Sequence, residues 1–104
     1  MKILHLSIHK KWFDLIASGE KKHEYRDDKP YWQKRLVDDC GIGRNFDIVR
    51  FKNGYGNNVP TMDVEFKHIS FSGPKWFNPK HGEEINGDVI VIHLGKVLTI
   101  REVA

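Results

Sequence analysis

Residue types able to do chemistry are most crowded in Gly19-Glu20-Lys21-Lys22-His23-Glu24-Tyr25-Arg26. A lysine in a partly desolvated cleft gives up its proton more readily or holds a developing oxyanion, and a neighbouring carboxylate can orient water as a general base. Histidine titrates near neutrality, so His23 is open to an acid or base role in RNA cleavage as well as to that of an ordinary strand residue. The residues alone leave a second reading of the whole segment: a solvated strand whose charges pair across its faces.

Tyr55 lies between Gly54 and Gly56 and follows Arg50 and Lys52. It could act as a stacking platform for a base beside phosphate-contacting cations, and stacking of this kind contributes roughly 1–3 kcal/mol per base in a sequence-tolerant way. The competing reading is a tyrosine that packs its own loop. Trp76 and Phe77 suit core cover better than a second platform. The chain has six His, of which His5 and His9 are four apart and His23 could approach them in space. They straddle a strand-to-helix junction and no Cys pair accompanies them, so we expect no metal site and no cofactor.

Composition bounds the rest. With 104 residues, 39% hydrophobic, the expectation is one domain spanning 1–104 with one modest core. No apolar run approaches the roughly 20 residues of a membrane span, and the N-terminal residues lack the pattern of a secretory signal. The single cysteine, Cys40, cannot make an internal disulfide. Together these point to a cytoplasmic protein in a reducing compartment, with no membrane partner. The net charge of +3 is only mildly basic, but it is uneven. Residues 1–35 hold nine Lys or Arg against five Asp or Glu, and the remainder eight against nine. A positive N-terminal third suits phosphate contact through counterion release, or simply a solvated surface.

The elements that must position these residues follow from periodicity. Lys2 to Leu6 suits a strand, with Ser7 as the cap of a helix in which Ile8, Trp12, Leu15 and Ile16 form the apolar side. Gly19 closes that helix in a left-handed conformation. Lys22 to Arg26 alternates as a strand, with Lys22, Glu24 and Arg26 on one face and His23 and Tyr25 on the other. Pro30 opens a second short helix to about Val37, with Trp32 and Leu36 inward, and 38–45 is loop. Strands are expected at Phe46 to Lys52, Thr61 to Phe71, Asp88 to Leu94 and Lys96 to Arg101. Asn53 to Asn58 forms a long hairpin loop displaying Tyr55, and Ser72 to Gly87 is the segment that pattern leaves least defined.

The order Leu6-Ser7-Ile8, Trp12, Ile16 and Gly19-x-Lys21-x-x-Glu24-x-Arg26 resembles the signature of the ASCH domain family, within the PUA-like superfamily. The resemblance rests on the first third of the chain. It implies an α+β fold: a mixed or antiparallel PUA-like β-barrel of five to six strands, with one helix after strand 1 and a second short helix. It also implies a cleft that binds RNA or a modified nucleoside. One bacterial branch of the family hydrolyses the acetyl amide of N4-acetylcytidine with a lysine, a threonine and a glutamate, and another branch cleaves single-stranded RNA. Lys21 matches the amidohydrolase lysine, whereas Glu24 stands where that branch has its threonine. A hydroxyl is thereby replaced by a carboxylate. Glu83 and Glu84 are the candidates by order for the later acidic partner.

The sequence therefore assigns Lys21 and Glu24 as catalytic candidates, and Arg26, His23, Arg50, Lys52 and Tyr55 as substrate contacts. Three functions follow: a hydrolase of the acyl amide of N4-acetylcytidine-like nucleosides, a non-catalytic RNA-binding module, and a ribonuclease on single strands. Whether the chain is an enzyme at all stays open at this stage, and a homodimer is compatible with each reading.

Overall fold

The computed structural model describes residues 1–72, 75–78 and 83–102, with backbone only for 75–78 and 83–86. Nine elements run in the order β1 (Ile3–Ile8), α1 (Lys10–Ala17), β2 (His23–Asp27), α2 (Pro30–Leu36), β3 (Ile48–Asn53), β4 (Thr61–Ser72), β5 (Lys75–Asn78), β6 (Glu83–Asn86) and β7 (Val89–Arg101). Five strands make one curled half-barrel sheet in the order β1-β3-β4-β7-β2, and β5 with β6 forms a separate hairpin. β1 and β3 are parallel; the other pairs in the sheet are antiparallel. The α+β architecture anticipated from sequence is thus present, including the helix after the first strand and the short second helix.

Alternation explains the strands. In β1, Leu4, Leu6 and Ile8 are buried on one face, and Val49 and Phe51 of β3 and Met62, Val64 and Phe66 of β4 continue that face. Ile90, Ile92 and Leu94 complete it from β7. The long β4–β7 pair carries register shifts at Asp63/Val64, Val64/Phe66 and Phe66/His68, the kind of irregularity that bends a ladder and curls its sheet. α1 closes one side through Phe13 and Ile16, with Trp12 and Ala17 packed partly against the same core. In α2, Leu36 is fully buried and Trp32 packs at the margin, as the sequence pattern anticipated.

Two expectations are corrected. Ser7 and Ile8 do not belong to the helix: β1 extends to Ile8, paired with Asn53 of β3, and His9 is the residue preceding the first turn of α1, without a side-chain cap. Pairing with β3 satisfies the backbone of Ser7 and Ile8 and buries Ile8, which a helical start would forfeit. The inner face of α1 consequently falls on Phe13 and Ile16. The segments 88–94 and 96–101 are one strand, β7, because the chain stays extended through Gly95, where the β4–β7 ladder shifts register, rather than turning. A side chain at Gly95 would collide with the Glu65 carboxylate, so glycine there serves a close approach. Among the described residues, no helix is long and apolar enough to cross a membrane.

Candidate functional site

The strand that carries most of the candidate residues, β2, lies at the edge of the sheet and, among the described residues, pairs with β7. Its register sets Glu24 opposite Ile92 and Arg26 opposite Ile90. Directly opposed residues point to the same side of a sheet, and both isoleucines are fully buried, so Glu24 and Arg26 turn inward. His23, opposite His93, and Tyr25, opposite Val91, turn outward. Lys22 precedes the strand and is exposed.

Burial separates these residues from an ordinary charged surface. Glu24 is 4% exposed. One carboxylate oxygen accepts the Tyr25 N–H at 3.0 Å and lies 3.5 Å from Arg26 Nη1. The other, Oε2, is buried with no hydrogen-bond partner among the described residues. Arg26 spans three elements: Nη1 donates to the Tyr25 carbonyl at 2.7 Å, Nη2 reaches the Ser7 carbonyl at 3.4 Å, and the guanidinium sits 5.1 Å from the Trp32 ring.

Lys21 is positioned by the exit from α1. Gly19 has φ +84°, and the turn brings the Lys21 N–H onto the Leu15 carbonyl at 3.0 Å. The side chain is then buried, with its ammonium 5.0 Å from the Trp12 ring and 4.8 Å from the Tyr25 ring. Such faces attract a cation most when water is partly excluded.

The remaining candidates lie elsewhere. Tyr55 is 81% exposed at the tip of the β3–β4 loop. That loop is tied to the end of β1, where the Gly54 N–H donates to the Ile8 carbonyl at 2.9 Å, one residue from the carbonyl held by Arg26. Arg50 and Lys52 lie on β3, opposite His5 and Ser7 of β1. Arg50 is already engaged by the buried Asp63, through Nε to Oδ1 at 2.7 Å and Nη2 to Oδ2 at 3.0 Å. The hydrogen bonds and charge of Arg50, joined by Arg101, hold the Asp63 carboxyl below the usual carboxylate range. The backbones of Glu83 and Glu84 belong to β6, paired with β5, while their side chains, like those of Trp76 and Phe77, lie outside the described residues.

A second polar group escaped sequence reasoning. His68 on β4 and His93 on β7 stack with ring centroids 4.0 Å apart and planes 10° apart, and His23 meets His93 edge-on at 4.8 Å. Ser70 Oγ is 2.7 Å from His93 Nε2. Burial, and secondarily the charges of His68 and His23, hold the His93 imidazole below its usual range. The histidines are separated by 45 residues and 25 residues along the chain, so only the strand register assembles them. Beside α2, a cleft of about 580 Å³ mixes Asp28, Asp38 and Asp39 with Lys34 and Arg44 and contains none of the candidate residues.

A curled mixed sheet, a helix inserted after its first strand and an edge strand with inward-facing ionic groups define a small α+β domain of the PUA-like class. The chain belongs to the ASCH domain family of that superfamily, whose family model it matches over residues 6–100. No curated protein and no solved structure matched the chain.

Proposed function

We propose that this ASCH domain binds RNA or a modified nucleoside against the inward side of β2 and hydrolyses an acyl amide on the base, N4-acetylcytidine being the type of substrate. The observation that carries the reading is Glu24 Oε2, a buried carboxylate oxygen with no hydrogen-bond partner among the described residues. Buried polar atoms are almost always satisfied, and an unsatisfied one commonly marks a site that awaits a ligand or water. An open groove of exposed cations would instead suit binding alone.

In this reading Glu24 accepts a proton from water as the water oxygen attacks the acyl carbonyl. The ammonium of Lys21 stabilises the resulting tetrahedral oxyanion. Glu24 returns the proton to the departing exocyclic amine, leaving a free carboxylate and an unacylated base. Arg26, 3.5 Å from Glu24 and anchored to two backbone carbonyls, fixes the carboxylate. Tyr55 stacks on a flanking base and Lys52 meets phosphate; Arg50, already matched by Asp63, offers less net charge to the same strand.

The test is a paired assay of the purified protein with N4-acetylcytidine and with labelled single-stranded RNA, each with and without chelator. Acetate release insensitive to chelator supports the hydrolase. Strand cleavage without acetate release replaces it with the ribonuclease reading, and binding without turnover of either substrate leaves an RNA-binding module.

A further inference from the structure

The outward face of the β4–β7–β2 segment carries a site independent of the hydrolase reading. Register alone sets His68 and His23 on either side of His93, one imidazole from each of three adjacent strands. His23 and His93 line a cleft of about 260 Å³ together with Ser70, Ser72 and the buried Val89 and Val91. Among the described residues the titratable groups lining it are His23 and Tyr25 from β2 and His93 from β7; His68 of β4 stacks on His93 outside the lining, and the Lys21 ammonium stands over the Tyr25 ring at 4.8 Å. Glu65 lies over Gly95, two residues beyond His93 and outside the cleft lining. No carboxylate lines this cleft among the described residues.

That inventory selects the sign of a ligand. Among the described residues no group of three His, Cys, Asp or Glu side chains is placed to hold a metal ion. Parallel imidazoles present faces to each other, not lone pairs to a common point. Burial, and then the charge of His68 stacked at a centroid distance of 4.0 Å, hold the His93 imidazole below its usual range, and an anion in the cleft would offset both. Protonated imidazoles and serine hydroxyls are hydrogen-bond donors suited to phosphate oxygens.

We propose that the cleft lined by His23, His93 and Ser70, with His68 stacked on His93 at its margin, binds a phosphate-type oxyanion, inorganic or a phosphate monoester, and that binding takes up protons and so tightens as the pH falls. His93 supplies charge within the cleft and His68 adds to it from the margin, Ser70 offers a hydroxyl, and the buried Val89 and Val91 present an apolar surface to the anion.

The experiment follows the imidazole signals of the full chain by NMR across pH 5 to 8, with inorganic phosphate, a nucleoside 5′-monophosphate, the parent nucleoside, or zinc, at constant ionic strength. Inorganic phosphate should raise the apparent pKa of His93 by about one unit, equivalent to roughly tenfold tighter binding by the protonated form. A comparable effect of phosphate and monophosphate, with none from the nucleoside, assigns the anion as the recognised group; a larger effect of the monophosphate assigns a nucleotide as its source. His68→Gln, at an exposed position, should weaken phosphate binding severalfold without altering the fold. Imidazole titrations unmoved by phosphate, binding equally tight at pH 5.5 and 7.5, an effect confined to zinc, or wild-type affinity in His68→Gln would each overturn the assignment.

Discussion

Two buried carboxylates in this sheet have opposite fates. Asp63 has both oxygens occupied, Oδ1 by Arg50 and Oδ2 by Arg50 and Arg101. Glu24 leaves Oε2 without a hydrogen-bond partner among the described residues. The first arrangement serves the fold and the second costs it stability. Asp63→Asn should therefore lower stability by about 1–3 kcal/mol, as expected for a charge-assisted hydrogen bond that loses its ion. Urea denaturation at neutral pH measures it. Because the folded pKa of Asp63 is lowered, its contribution is fully present above the ordinary carboxylate value near 4. It is lost as the pH falls through the folded value, so the penalty of Asp63→Asn should vanish in strong acid. His93, with a lowered imidazole pKa, acts in a different window: the unfolded chain binds its proton first, so acidification below about 6.5 should destabilise the native protein. Thermal melts from pH 8 to 5 should show that loss, and His93→Gln should flatten it.

At the scale of elements, the exit from α1 is what delivers Lys21. Gly19→Ala puts a Cβ on a residue at φ +84° and should cost about 1 kcal/mol or more. Nothing lies within 4 Å of that Cβ, so the effect is backbone strain rather than a clash. Thermal denaturation measures the cost, and a disproportionate loss of ligand binding would show that the turn also orients Lys21. This turn was legible in sequence, because Gly-x-Lys directly after an amphipathic helix has few alternative conformations. The strand after it was equally legible: alternation alone sorted Glu24 and Arg26 from His23 and Tyr25. The boundary between β1 and α1 was not. Ser7 is a good helix cap in isolation, and only the pairing of Ile8 with Asn53 across the sheet makes it a strand residue.

The whole molecule adds what no local pattern contains. The elements and the two faces of β2 follow from hydrophobic periodicity and turn chemistry, and the fold class from the family resemblance, whereas the His23–His68–His93 cluster depends on non-local register among β2, β4 and β7. For the same reason sequence suggested Arg50 as a phosphate contact, although Asp63, thirteen residues on, already engages it. Curling also gathers distant segments: Arg26 of the edge strand reaches the Ser7 carbonyl at the other edge, next to the residue that tethers the Tyr55 loop. In the proposed reading a nucleoside at Glu24 and a neighbouring base at Tyr55 would share one end of the sheet, which predicts that Tyr55→Ala weakens an oligonucleotide substrate by roughly 1–3 kcal/mol and the free nucleoside far less. Titration of both ligands with wild-type and variant protein checks this. The central claim is that the buried ionic group on β2 performs hydrolysis rather than holding the fold. Acetate release from N4-acetylcytidine, measured together with the melting temperature for wild type and Glu24→Gln, tests it most directly. We predict turnover reduced by at least about a hundredfold, in the range for loss of a general base, with a melting temperature unchanged or raised. Undiminished turnover in Glu24→Gln, or a marked fall in its melting temperature, would contradict the account.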